Sequence, residues 1–319
     1  MVGHQRGRRR RPDLRGLMSP PLSLFTRPTP VEPAPRLAEA IGLDAGRLWI
    51  KRDDLIGLGG GGNKVRKLEI TMAGAIAVGA DTVVTTGAPQ SNHARLTAAA
   101  AARCGLRSVL VLEGEAPDRL EGNLLLDRLF DAEIVFSGDR DAADVAAQEA
   151  RARDAYLIPF GGTDARSAVA YRDAGLELLG QLPDVGTVVV AVGSGGTMAG
   201  LVTALGTHRV LGVATGAVPD AHATVAGFVT DMGSSPEGLR IDDARIGDGY
   251  RHLTPETRDA LELAARTEGL VLDPTYTGRA MAGLRAAAAT SGLAPGPVVL
   301  LHTGGLPGLF GHAEFPDGV

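Results

Sequence analysis

A chain of 319 residues with 44% apolar and 22% charged residues has ample material for buried cores and falls in the two-domain size range. Its net charge of −5 argues against nucleic acid as the main partner, and no stretch approaches the ~18 uninterrupted apolar residues of a membrane span. Cys104 is the only cysteine, which excludes an internal disulfide and fits a reducing cytoplasm.

In chain order, residues 1–20 carry a cluster of Arg6, Arg8, Arg9, Arg10 and Arg11 and read as a solvated, disordered tail. No apolar segment follows it, so a secretory signal is not expected. "TPVEPAPRL" is Pro-rich and reads as an extended strap. "RLWIK" (47–51) is a short strand, and a helix over 63–78 carries Leu68, Met72 and Ile76 at helical spacing. Strands at 82–86, 108–112, 133–136 and 155–158 alternate with helices at 92–104, near 123–130 and near 141–153. "TVVVAVGSGGTMAGLVTAL" is strand, glycine loop and helix; strands at 209–214 and 297–301 flank helices near 255–268 and 278–289. Such alternation predicts parallel sheets covered on both faces. The expected fold is α/β, with two doubly wound open-sheet domains and a ligand in the cleft between them, beyond the carboxyl ends of the strands.

Four glycine-bearing stretches sit at strand or loop ends. "GLGGGGNKVRKLEI" (57–70) has the glycine spacing of a nucleotide-binding P-loop, but Asn63 precedes Lys64 and Val65 stands where a metal-binding hydroxyl belongs. Triphosphate binding is therefore rejected. "VGSGGTMAG" (192–200) follows an apolar strand and opens a helix, which makes an anion site of its backbone N–H groups. The dinucleotide fingerprint fails at Met198, so this cup suits one phosphate; read alone, it is equally a tight strand-to-helix turn. In "GAPQSNHARLTAA" (87–99), Ser91 and Asn92 are good helix caps whose neighbouring N–H groups could instead hold a carboxylate. "LLHTGGLPGLF" places Thr303 beside a further glycine pair.

The lysines are Lys51, Lys64 and Lys67 alone, because nearly all other basic residues are arginine. Only Lys64 sits at the junction of a glycine run and a helix, where burial and the positive helix end favour the neutral amine. A monophosphate cup, a lysine on a glycine loop and a carboxylate site together suggest pyridoxal phosphate, whose aldehyde condenses with lysine and whose ring is an electron sink. A metal is not called for.

The stretches "KRDDLIGLGGGGNKVRKLEI", "GAPQSNHARLTAAAAARCGL", "VGSGGTMAGL", "LDPTYTGRAMAGL" and "LHTGGLPGLFG", in that order, resemble the D-cysteine desulfhydrase and 1-aminocyclopropane-1-carboxylate deaminase family of tryptophan-synthase-β-like pyridoxal-phosphate enzymes. The likeness spans about residues 28–312. It implies Lys64 as the lysine bound to the cofactor, Ser91, Asn92 and His93 at the substrate, and Asn92 as donor to the cofactor's phenolic oxygen. It also implies Gly193, Ser194, Gly195, Gly196 and Thr197 as the phosphate cup, and Tyr276, with Tyr250, as active-site tyrosines. The deaminase branch carries a glutamate where this chain has Thr277; with Thr303, Thr277 is expected near the ring nitrogen, as in the desulfhydrase branch. The segments 159–171 and 250–256 depart from the family pattern and bear on the substrate.

The implied activity is β-elimination from a small amino acid, with D-cysteine giving pyruvate, sulfide and ammonia. Deamination of the cyclopropane, or lysis of another β-substituted alanine such as cysteate, are the alternatives. A non-catalytic α/β ligand-binding protein is the reading from a different class. A homodimer is implied, with a large domain over 21–75 and 176–319 and a smaller one over 76–175.

Overall fold

The computed structural model describes residues 22–315, so the expected tail at 1–20 lies outside the described residues. The strands are β1 (Val31–Pro33), β2 (Leu48–Arg52), β3 (Thr82–Gly87), β4 (Arg107–Leu112), β5 (Glu133–Phe136), β6 (Tyr156–Leu157), β7 (Thr187–Val192), β8 (Val210–Ala214), β9 (Arg240–Asp242) and β10 (Val298–His302). The helices are α1 (Pro35–Ala40), α2 (Lys64–Ala77), α3 (Asn92–Cys104), α4 (Gly122–Leu129), α5 (Ala142–Arg153), α6 (Ala165–Gln181), α7 (Gly196–Leu205), α8 (Ala221–Asp231), α9 (Pro255–Glu268), α10 (Thr277–Ala289) and α11 (Leu306–Leu309).

Two sheets form. One runs β1-β2-β10-β7-β8-β9 and is parallel except for β1, which pairs antiparallel to β2. The other runs β5-β4-β3-β6 and is wholly parallel. Continuous apolar runs such as "TVVVAV" in β7 are buried along their whole length, as a parallel strand covered by helices on both faces requires. Apolar clusters line both faces of the larger sheet: Leu48, Ile50, Val189 and Leu300 belong to one, Val188, Val190, Met198 and Val299 to the other.

Three features differ from the expectation. The Pro-rich strap is extended only through β1, and Pro35 then opens α1, where its fixed φ and missing N–H suit a first turn. The longest helix, the 17-residue α6, lies where periodicity assigns no element; Asp164 and Ser167 start it with a reciprocal capping box. The face of α2 bearing Val65, Leu68, Met72 and Ala75 packs with Val83, Leu96 and Ile158, while α2 also meets α6, so the helix bridges the two units and runs past the boundary expected at 75/76.

A buried ion cluster joins these elements. Asp53, fully buried, accepts from Thr29 Oγ1 at 2.8 Å, from Arg66 Nε at 2.9 Å and from the Tyr171 hydroxyl at 2.6 Å. Glu177 on α6 accepts from Arg66 at 2.9 Å and from Lys51 Nζ at 2.5 Å, and Gln181 receives Lys51 at 2.6 Å. Lys51 is therefore a structural cation. Burial works to raise the Glu177 pKa, but hydrogen bonds from Arg66 and Lys51 outweigh it and hold the group at about 2. Because the folded-state value lies below the ordinary carboxylate value of 4.5, this stabilisation is full above pH 4.5 and is lost as pH falls toward about 2. Glu177→Gln should lower the unfolding free energy at neutral pH and flatten its decline across that acid window, as read by denaturant titrations at several pH values.

Candidate active site

All four glycine-bearing stretches meet at one place. The loops after β3, β7 and β10 and the segment after β2 converge at the carboxyl ends of their strands. The glycine run before Lys64 has a steric cause. Gly59, Gly60, Gly61 and Gly62 all have positive φ, of 58°, 85°, 84° and 133°. A Cβ on Gly61 would lie 2.3 Å from the Asp54 carbonyl oxygen, a backbone atom that cannot step aside. The fully buried Arg95 donates to the carbonyls of Gly59 at 2.9 Å and Gly61 at 2.8 Å, and Asn63 N donates to Thr303 O at 3.0 Å. The loop is thus pinned on two sides, and Lys64 opens α2 at a defined point.

Two adjoining chambers share Lys64, Ser194 and Tyr276. The larger, about 190 Å³, is also lined by Ser91, His93, Glu113, Phe160 and Tyr250. The smaller, about 30 Å³, is walled by Asn63, Asn92, Gly193, Gly195, Thr197 and Thr303. Gly196 and Thr277 line neither. Gly196 lies against Thr163, whose methyl would be 2.4 Å from an added Cβ. The Thr277 hydroxyl is taken up by Asp273, donating to Oδ1 and accepting from the Asp273 backbone N–H, both at 2.7 Å. Of the two threonines expected at a ring nitrogen, the structure brings only Thr303 into the cleft.

Burial pulls the Lys64 pKa down to about 8, opposed only by a hydrogen bond with Lys67. Lys67, one turn on, is also pushed down, first by burial and then by the Lys64 charge. Lys67 donates to Gly161 O at 3.0 Å and to Thr163 Oγ1 at 2.6 Å, and Thr163 bonds Ser194 Oγ at 2.7 Å. It thereby ties the loop carrying Phe160 to the glycine loop after β7. Burial and the two neighbouring lysines hold His93 well below the usual imidazole range.

The loop after β7 ends at Gly195, with φ of 86°, and no side chain caps α7. The first N–H groups of that helix therefore face the smaller chamber without a side-chain acceptor. Ser91, by contrast, caps α3 by accepting from Ala94 N at 3.2 Å, so its capping role and its place in the chamber wall coexist. Tyr250 and Tyr276 share a hydrogen bond of 2.6 Å with their rings edge to face. Burial raises the pKa of both, that of Tyr250 to about 12, so both hydroxyls keep their protons at neutral pH.

Residues that motif reading missed place these groups. Asp273 accepts from the backbone N–H of Thr275, Tyr276 and Thr277 at 3.1, 2.9 and 2.8 Å and so fixes the tyrosine's turn. Buried Arg279 donates to the carbonyls of Gly249, Tyr250 and His252 at 2.9, 3.1 and 2.6 Å, anchoring the atypical 250–256 segment. Glu113 and Phe160 enter the cleft with no local signal. Phe160 belongs to the atypical 159–171 stretch, which was the available hint.

The model of the pyridoxal-phosphate dependent enzyme family matches residues 22–304. The chain belongs to this family. A D-cysteine desulfhydrase of Klebsiella pneumoniae is 39% identical over 92% of this chain and 96% of its own length. A putative 1-aminocyclopropane-1-carboxylate deaminase of Pyrococcus abyssi is 36% identical over 92% of this chain and 94% of its own. The solved structure of an ACC deaminase homologue superposes with a TM-score of 0.83 at 34% identity, covering 93% of this chain and 95% of that one. A threonine deaminase of Solanum lycopersicum shares the fold, with a TM-score of 0.67 at 18% identity over 87% of this chain and 79% of that one.

The protein is a pyridoxal-phosphate-dependent enzyme, and the cleft fits that cofactor. The uncapped start of α7 suits a phosphate, and the desolvated Lys64 amine suits an aldehyde. Thr303 offers a hydroxyl in the same small chamber.

Two outcomes follow. Gly61→Ala, strained at φ of 84° and blocked by backbone, should cut cofactor content severely, measured by visible absorbance per folded protein. Cofactor capture by apo protein needs the neutral amine, so its rate should rise about tenfold per pH unit below about pH 8 and level off above it, as followed by stopped-flow absorbance.

Proposed function

We propose that the protein eliminates the β-substituent of a small amino acid, with D-cysteine as substrate and pyruvate, ammonia and sulfide as products. The observation that carries this is the side chains of the smaller chamber. Among the described residues no carboxylate lines it, and Thr303, one of its polar residues, is the one the family resemblance puts at the ring nitrogen. A hydroxyl does not protonate that nitrogen as a carboxylic acid does, and a weaker electron sink suits departure of sulfide better than opening of a carbon ring. The relative named D-cysteine desulfhydrase, at 39% identity, supports the same choice. The relative and the solved homologue named for the cyclopropane deaminase keep that reaction as the second reading.

When bound, the cofactor supplies the sink for the electron pair released at the substrate's Cα. The chain supplies the rest. Lys64 would hold the cofactor and, as a free amine drawn to a pKa of about 8, would move the Cα proton. Gly193, Ser194, Gly195, Gly196 and Thr197 form the phosphate cup, with Gly196 contributing backbone only. Asn92 donates to the cofactor's phenolic oxygen. The start of α3, with Ser91 and His93 in the chamber wall, holds the substrate carboxylate. The Tyr276 hydroxyl, kept protonated and held by Tyr250, is placed to hand a proton to the departing sulfide.

We further read the protein as a cytoplasmic homodimer with a cofactor-binding unit over 21–75 and 176–319 and a smaller unit over 76–175. No described helix is long and apolar enough to cross a membrane. Product assays decide the substrate: pyruvate and sulfide in equal amounts from D-cysteine, slower from L-cysteine, with 2-oxobutyrate from 1-aminocyclopropane-1-carboxylate at least tenfold slower, ~1.4 kcal/mol of transition-state preference. Efficient cyclopropane turnover with inert cysteine selects the second reading.

A further inference from the structure

Three side-chain amides, Gln90, Asn92 and Asn123, stand in a row between the start of α4 and the smaller chamber. The Asn123 backbone N–H donates to Gln90 Oε1 at 2.8 Å, and Gln90 Nε2 donates to Glu121 O at 3.1 Å. Asn123 Nδ2 donates to Gln90 O at 2.9 Å and to Asn92 Oδ1 at 3.1 Å. Each end of this row is a backbone group, whose role cannot be exchanged. A backbone N–H only donates, so the atom of Gln90 that meets it is oxygen. A backbone carbonyl only accepts, so the atom of Asn123 that meets Gln90 O is nitrogen. That nitrogen faces Asn92 as well, so the atom Asn92 turns toward it is oxygen. Reversing any one amide sets like atoms against each other.

The NH2 arm of Asn92 is then the arm left for the cleft, and Asn92 is part of the wall that contains Lys64 and Thr303. Asn123 has no exposed surface, and its Oδ1 has no partner among the described residues, so both of its side-chain hydrogen bonds run through the nitrogen.

We infer that Asn123 is a positioning residue that locks the Asn92 amide with its NH2 arm toward the cofactor, so that the cleft always presents a donor there and never a carbonyl. This rests on the reading of Asn92 as a cofactor contact. It assigns the specificity for an anionic or carbonyl-type oxygen at that point to a residue of α4 that touches no ligand.

Side-chain amide spectroscopy on isotope-labelled protein tests it without turnover. In the wild-type apo protein the Asn92 NH2 protons should exchange freely with water, and their resonances should shift when pyridoxal phosphate is added. Asn123→Asp cannot donate to Asn92; the Asn92 amide should turn over, its NH2 become protected and unresponsive, and cofactor affinity fall about tenfold. An Asn92 NH2 already protected in the wild type overturns the inference. So does an Asn123→Asp protein whose Asn92 NH2 stays open and responsive. An open NH2 that ignores the cofactor keeps the lock and removes instead the reading of Asn92 as a cofactor contact. The wild-type exchange measurement needs no variant and decides the matter if Asn123→Asp does not fold.

Discussion

A lysine condenses with an aldehyde only through its neutral amine, and desolvation is the force that draws Lys64 toward that form. Few opposite charges are placed to reverse it. Two of its titratable neighbours, Lys67 and His93, are themselves pushed toward neutrality by burial. Two carboxylates, Asp53 and Glu177, are engaged with Arg66 and Lys51. Had one of those carboxylates reached Lys64, the ammonium form would have been stabilised.

Keeping a dry amine at a fixed point demands a backbone that approaches other backbone closely. The glycine run meets that demand, with Gly61 against the Asp54 carbonyl and Gly62 facing Thr303 O. Arg95 turns this permissive stretch into a rigid one by bonding two of its carbonyls. The entropy cost of four glycines is thus offset by a buried clamp from α3, a helix of the smaller sheet. Lys64 itself heads α2, which packs on that same sheet, while the glycine loop after β7 belongs to the larger one. The cleft works only while the two sheets hold register, and the ion cluster of Asp53, Arg66, Glu177 and Lys51 together with Tyr171 spans the elements between them.

Much of this was legible in the chain. Alternating apolar runs marked the central strands because a parallel strand buried on both faces has no polar side to hide it. Lys64 stood out among three lysines by its glycine context, and the uncapped loop after β7 by its strand-to-helix setting. The α6 helix escaped notice because its start reads as a glycine-rich departure, and its cap pair, Asp164 with Ser167, is a weaker form of the usual signature. Thr277 looked like a cofactor ligand because it follows Tyr276, yet one residue of helical rotation turns its hydroxyl to Asp273.

By itself the sequence determined the fold class and the cofactor, and it pointed to Lys64 and the loops that surround it, since these depend on local rules: periodicity, conformational freedom at glycine, and free N–H groups at helix starts. Only the tertiary structure decided which polar groups face the cleft. Asn123 beside Asn92, Arg279 beneath Tyr250 and Lys67 against Thr163 are 31, 29 and 96 residues apart in pairing. Hydrogen-bond direction across such distances is set by where packed helices bring donors and acceptors together, and no local pattern encodes it.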